Sequence, residues 1–284
     1  MKKILVPVLA LLLLLSGCAE PAENTQKKSV LATTAPVAEL TAALLEGTEV
    51  NVEQLITEPV SCLHDYTLSV DQMKRVEKSS FVIISGLGLE DFMTDALSRA
   101  AGFLNASVGI VPLTGEGEGD PHIWMDPDNM IVMTKNVSAG LCGAFPELSE
   151  TIAGNEEAYC LRLAELALYG RETLKELSCR KLVTFHDGFS YFADAFDLEI
   201  AAAMEIEPGS EPSAKELEEI ISLVIENGIP AVFTEVNGTT DAAELVAKEA
   251  AVKVRTLDMA MSLGESDYFD VMRKNINTVK DALG

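Results

Sequence analysis

The stretch SETIAGNEEAYCLRLAELALYGRETLKEL, residues 149–177, carries no strand signal. Leu163, Leu166, Leu174 and Leu177 fall at helical spacings, with Arg162, Glu165, Arg171 and Lys175 between them. A helix of roughly 25 residues is near 38 Å long, at ~1.5 Å per residue, which is the diameter of a small domain. Blocks of about 110 and 105 residues, each alternating between strand and helix patterns, stand on either side of it. The economical reading is one long helix joining two α/β lobes. A helical hairpin within one lobe is the alternative, because Gly170 could interrupt the helix.

Outward from this stretch, short β-branched runs alternate with longer amphipathic ones. The runs predict strands at Val30–Thr33, Val50–Leu55, Phe81–Ser85, Val108–Val111, Leu182–Phe185, Ile200–Met204, Ala231–Thr234 and Val252–Leu257. Between them, Ser69-x-x-Gln72 and Ser213-x-x-Glu216 are capping boxes, and Asp126-Pro127 offers an N-cap followed by proline at the first helical position. This alternation argues for an α/β fold with two lobes, each a mainly parallel sheet flanked by helices. The expected division is an N-terminal lobe at 29–147, a linking helix at 148–179 and a C-terminal lobe at 180–284.

The N-terminus reads as a processing signal. Lys2 and Lys3 precede an apolar stretch, Ile4–Leu15, too short for a stable membrane span, and Leu15-Ser16-Gly17-Cys18 places small residues before a cysteine. The expectation is a lipoprotein signal peptide at 1–17, a lipid on Cys18, and a flexible polar tether at 18–28 that anchors an exported domain to the membrane. Loss of residues 1–17 removes two lysines and takes the formal charge from −24 to −26. A chain this acidic repels nucleic acid and raises the local concentration of cations. Cys62, Cys142, Cys160 and Cys179 remain, with no C-x-x-C spacing, and the sequence does not choose among their pairings.

There are only three histidines, His64, His122 and His186, each in a short polar turn beside an apolar run. His186 directly follows a predicted strand, as does Asp258, and His64 and His122 each precede a predicted helix. In open α/β sheets ligands bind beyond the carboxyl ends of the strands, so a cleft between lobes would draw on both pairs. Three imidazoles and one carboxylate can close a tetrahedron around Zn²⁺, whereas Mn²⁺ prefers more oxygen. Glu235 is a competing carboxylate, and Cys62, two residues before His64, is a competing donor.

Six stretches resemble the metal-binding lipoproteins that serve ABC importers of zinc and manganese. They are LHDYTLS (63–69), ISGLGLE (84–90), DPHIWMDP (120–127), FHDGFSYF (185–192), EPSAKEL (211–217) and LDM (257–259). The third is the most discriminating. The resemblance implies one metal in the interlobe cleft, ligated by His64, His122, His186 and Asp258, with delivery to a membrane permease by a monomeric, non-enzymatic protein. Manganese-type members typically carry Glu at the position of His186, so the histidine favours zinc. Two departures stand out. Residues 115–119 read GEGEG where many zinc-type members have a His-rich loop, and Cys-Leu-His-Asp stands where the family usually has Pro-His.

Rival readings are an exported zinc hydrolase, a metal-stabilised adhesin and a siderophore-binding protein. A hydrolase needs an open coordination position and a nearby general base, and no His-Glu-x-x-His occurs.

Overall fold

A computed structural model describes residues 29–60, 63, 66–113, 119–204, 212–264 and 266–284. Its framework is two four-stranded sheets in which all pairings are parallel. The first contains β1 (Ser29–Ala32), β2 (Asn51–Gln54), β3 (Phe81–Ile84) and β4 (Phe103–Asn105), in spatial order β2-β1-β3-β4. The second contains β5 (Lys181–Thr184), β6 (Glu199–Ala203), β7 (Ala231–Glu235) and β8 (Lys253–Leu257), in the same relative order, β6-β5-β7-β8. Each sheet therefore reverses its winding between its first and third strands, which opens a crevice at their carboxyl ends. Central strands read as apolar runs because helices cover both faces, and β7 is buried along its whole length.

The helices start where the sequence signals them. Ser69 and Gln72 close a capping box on α2 (Val70–Lys78), and Ser213 and Glu216 close another on the helix Ala214–Glu226. Asp126 caps α4 (Pro127–Ala144) by accepting from the Asp128 N–H at 2.8 Å. The strand expected at Val108–Val111 is absent. Instead β4 lies at Phe103–Asn105, and residues 106–109 turn, with the Ile110 N–H on the Ser107 carbonyl. Val108 and Val111 are exposed, so their β-branched side chains had no sheet face to fill.

The stretch at 149–177 forms α5 (Ser149–Leu174), one helix of 26 residues. Gly170 does not interrupt it. A Cβ there would stand 2.2 Å from the Phe196 ring, so the glycine lets the second lobe approach the helix. The helix packs against α1 (Ala35–Leu44) and α4 of the first lobe and against the last helix, Tyr268–Leu283, of the second. The lobes share more than this helix. One apolar core runs from Val30 and Leu31 through Leu163 and Leu166 to Leu257, Met272 and Leu283. A smaller core around Val183, Val224, Val232 and Val246 fills the far side of the second sheet.

Candidate metal site

His186 is placed by β5. The Phe185 N–H bonds the Phe233 carbonyl at 2.9 Å, and the chain then turns away from the sheet. Thr184 pairs with Phe233, so two positions further on His186 stands level with Glu235, the last residue of β7. Both are buried, and His186 Nδ1 lies 3.8 Å from Glu235 Oε2. The turn stays tight because residue 188 is glycine. A Cβ at Gly188 would come within 2.9 Å of His186 Cδ2 and 2.4 Å of Met259 Cε.

His122 is held differently. One carboxylate oxygen, Asp120 Oδ1, accepts from the His122 backbone N–H at 2.9 Å and lies 2.7 Å from ring Nδ1. Engagement of Nδ1 by a carboxylate leaves Nε2 as the ring nitrogen that could bind a metal. Burial alone would raise Asp120, but its hydrogen bonds with His122 outweigh that and hold the carboxyl below the ordinary carboxylate value. Asp187, beside His186, goes the other way, pushed up by burial and by repulsion from Asp120.

The two imidazoles come from different lobes and lie edge-on to each other. Their ring centroids are 5.6 Å apart at 79°, and each is backed by a buried or nearly buried carboxylate. Trp124, wholly buried, stacks edge-on against His122 and donates its indole N–H to the Met259 carbonyl of the other lobe at 2.7 Å. The Tyr268 hydroxyl donates to the Trp124 carbonyl at 2.6 Å, and the Tyr191 hydroxyl to the Asp120 carbonyl at 3.0 Å. Asp258 follows the last residue of β8, half-buried, with Oδ1 accepting from the Ala260 N–H at 2.8 Å.

His64, Cys18 and Cys62 lie outside the described residues. Among the described residues, no three His, Cys, Asp or Glu side chains gather closely enough to hold a metal ion. What the structure brings together is the His122–His186 pair, with Glu235 Oε2 3.8 Å from His186 Nδ1. Cys142, Cys160 and Cys179 form no disulfide.

Sequence reasoning missed the residues that fix this arrangement. Trp124 carried a resemblance but no role. Tyr268 and Asn275 carried nothing, although Asn275 sits on an otherwise apolar helix face, which is a legible sign of a buried polar group needing partners.

The family model for zinc-uptake complex component A, periplasmic, matches residues 30–282. The zinc-binding lipoprotein AdcA of Streptococcus pneumoniae is 28% identical over 309 residues, covering 99% of this chain and 61% of that protein. The zinc-binding protein AdcA of Streptococcus pyogenes is 27% identical over 291 residues, covering 89% and 56%. This chain thus spans about three fifths of the length of these curated relatives. The crystal structure of the Zn(II)-bound ZnuA-like domain of the pneumococcal AdcA superposes with a TM-score of 0.80 at 28% identity, covering 90% of this chain and 99% of that domain. The crystal structure of ZnuA gives 0.81 at 25% identity, covering 89% and 98%. With the match running through both lobes and the linking helix, the chain belongs to the family of periplasmic component A proteins of zinc-uptake complexes.

Proposed function

We propose that this protein captures Zn²⁺ between its lobes and passes it to the permease of an ABC importer, without catalysis. The observation that carries this reading is the pair of imidazoles, one from each lobe, 5.6 Å apart and edge-on, with a carboxylate close to Nδ1 of each ring. At His122 such backing, with Asp120 Oδ1 at 2.7 Å, would fix the ring tautomer and raise the basicity of the ligating nitrogen; at His186 the nearest Glu235 oxygen stands 3.8 Å from Nδ1. His122 and His186 would bind through the nitrogens turned to the cleft. His64 and Asp258 would complete a nitrogen-rich tetrahedron, a donor set suited to zinc and less so to manganese. The Zn(II)-bound relative at 28% identity supports zinc as cargo.

The same reading takes residues 29–147 and 180–284 as lobes and 148–179 as the linker, working as a monomer. A lipid on Cys18, after removal of residues 1–17, would hold the domain at the outer face of the membrane. No helix among the described residues is long and apolar enough to cross a membrane. The name of one relative, zinc-binding lipoprotein, supports an anchored domain.

Titration of purified, metal-free protein with Zn²⁺ and Mn²⁺ against a chromophoric chelator tests it. The expected result is one Zn²⁺ per chain, bound more tightly than Mn²⁺ and more weakly on acidification, as protons compete for the imidazoles. Absence of stoichiometric zinc binding, or chelator-sensitive turnover of ester or peptide substrates, would overturn the reading.

A further inference from the structure

The β8 strand ends at Leu257, whose carbonyl accepts the Val236 N–H at 3.0 Å. At the next residue the backbone turns to a side chain. The Asp258 N–H donates to Asn275 Oδ1 at 2.9 Å, and Asn275 Nδ2 donates to the Asp258 carbonyl at 2.7 Å. One carboxamide thus takes both main-chain groups of a single residue, as a neighbouring strand would share between two. Asn275 is 1% exposed and lies among Met272, Ile276 and Val279 on the apolar face of α9 (Tyr268–Leu283). A polar side chain in such a place keeps its position only through good partners, and both of these belong to Asp258.

The neighbouring links complete the hold. Asp258 Oδ1 accepts the Ala260 N–H, which sets the direction of the carboxylate, and the Met259 carbonyl is taken by Trp124 from the other lobe. Ala260 itself sits at φ +58°, a left-handed conformation that a side chain-bearing residue adopts only under constraint. With peptide groups fixed on both sides, the Asp258 carboxylate has little freedom left beyond its own side-chain torsions.

We infer that Asn275 is the positioning residue for Asp258, holding its backbone so that the carboxylate meets the metal, an inference that rests on the zinc-capture reading. Asn275 touches no cargo; it acts only through Asp258. It is the second lobe's counterpart of Asp120, which orients His122 in the first.

The test is a double-mutant cycle in the full chain, with Zn²⁺ titrated against a chromophoric competitor. Asn275→Ala should weaken zinc binding roughly 10-fold, within the range carried by outer partners of metal ligands. In the Asp258→Ala background the same change should cost nothing further, because the residue it positions is gone. Equal losses in both backgrounds, or no loss in the single variant, would overturn the assignment. If Asn275→Ala does not fold, hydrogen exchange on the metal-free wild type decides instead. The Asp258 amide should be strongly protected, and rapid exchange there would overturn the clamp. Wild-type protein that binds no zinc would remove the capture reading itself, an outcome distinct from equal losses in the cycle.

Discussion

The two lobes wind their sheets in the same order, yet the corresponding strand ends carry different chemistry. Ala32 pairs with Ile83 in the first sheet and Thr184 with Phe233 in the second, so Thr34 matches His186 and Ser85 matches Glu235. Following the registers outward, Ser107 matches Asp258. The first lobe therefore has three hydroxyls where the second has an imidazole and two carboxylates. Its crevice is closed instead by its own side chain. The Glu90 carboxylate accepts from the Thr33 hydroxyl at 2.6 Å, the Ser85 N–H at 2.7 Å and the Gly86 N–H at 2.9 Å. The same topology thus carries a carboxylate engaged by its own lobe in the first and, on the zinc-capture reading, a ligand cradle in the second. The first lobe contributes His122 from a loop after β4 rather than from a strand end.

The sharpest way to break this comparison is to exchange residues at matching positions. His186→Ala should lower zinc affinity by about 100-fold or more, equivalent to ~2.7 kcal/mol, whereas Thr34→Ala at the matching position should leave it within about threefold. Competitive zinc titration reads both, and a loss in the threonine variant comparable to that in the histidine variant would abolish the distinction between the two lobes.

Next in size is Glu90. Burial raises its carboxyl above the ordinary value despite the three donors facing it. Glu90→Ala leaves those buried donors unmatched and should destabilise the protein by about 2–3 kcal/mol in urea unfolding. Zinc affinity of the folded variant should hardly change; a large loss would mean that the first lobe's crevice takes part in binding.

The smallest effect lies at the seam. Glu39 of α1 accepts the Tyr268 N–H at 2.7 Å across the lobes. Burial raises it to about 7 from 4.5, with Asp267 adding repulsion and the Tyr268 bond opposing. A carboxyl that holds its proton more tightly when folded favours the fold at low pH. That contribution is complete below about 4.5 and is lost as pH rises through about 7. Glu39→Gln, neutral throughout, should show a flatter melting temperature across that window and melt slightly higher above it. Identical pH profiles for the two proteins would exclude Glu39 as the source.

Much of this molecule is legible in its sequence. The capping residues at Ser69, Asp126 and Ser213 marked helix starts because their chemistry is local, and so did the periodicity of 149–174. The strand at 108–111 was misread because β-propensity reports fit to a sheet surface, and no neighbour lies there to supply one. The shared core was out of reach for a related reason: periodicity tells which face of a helix is buried, not what buries it. His122 and His186 stood out by rarity and placement. Glu90 and Asn275 did not, since their roles depend on partners 57 and 17 residues away in sequence.

Trp124 is the only tryptophan in the chain, and it is buried where the two lobes meet, with its indole N–H on a carbonyl of the second lobe. Nearly all of the protein's indole fluorescence therefore originates at one bond across the seam, one turn of chain from His122. The molecule carries its own optical gauge of that junction. Any loosening of the lobes that lets water reach the indole would register as a red shift, with no label attached and no averaging over distant sites.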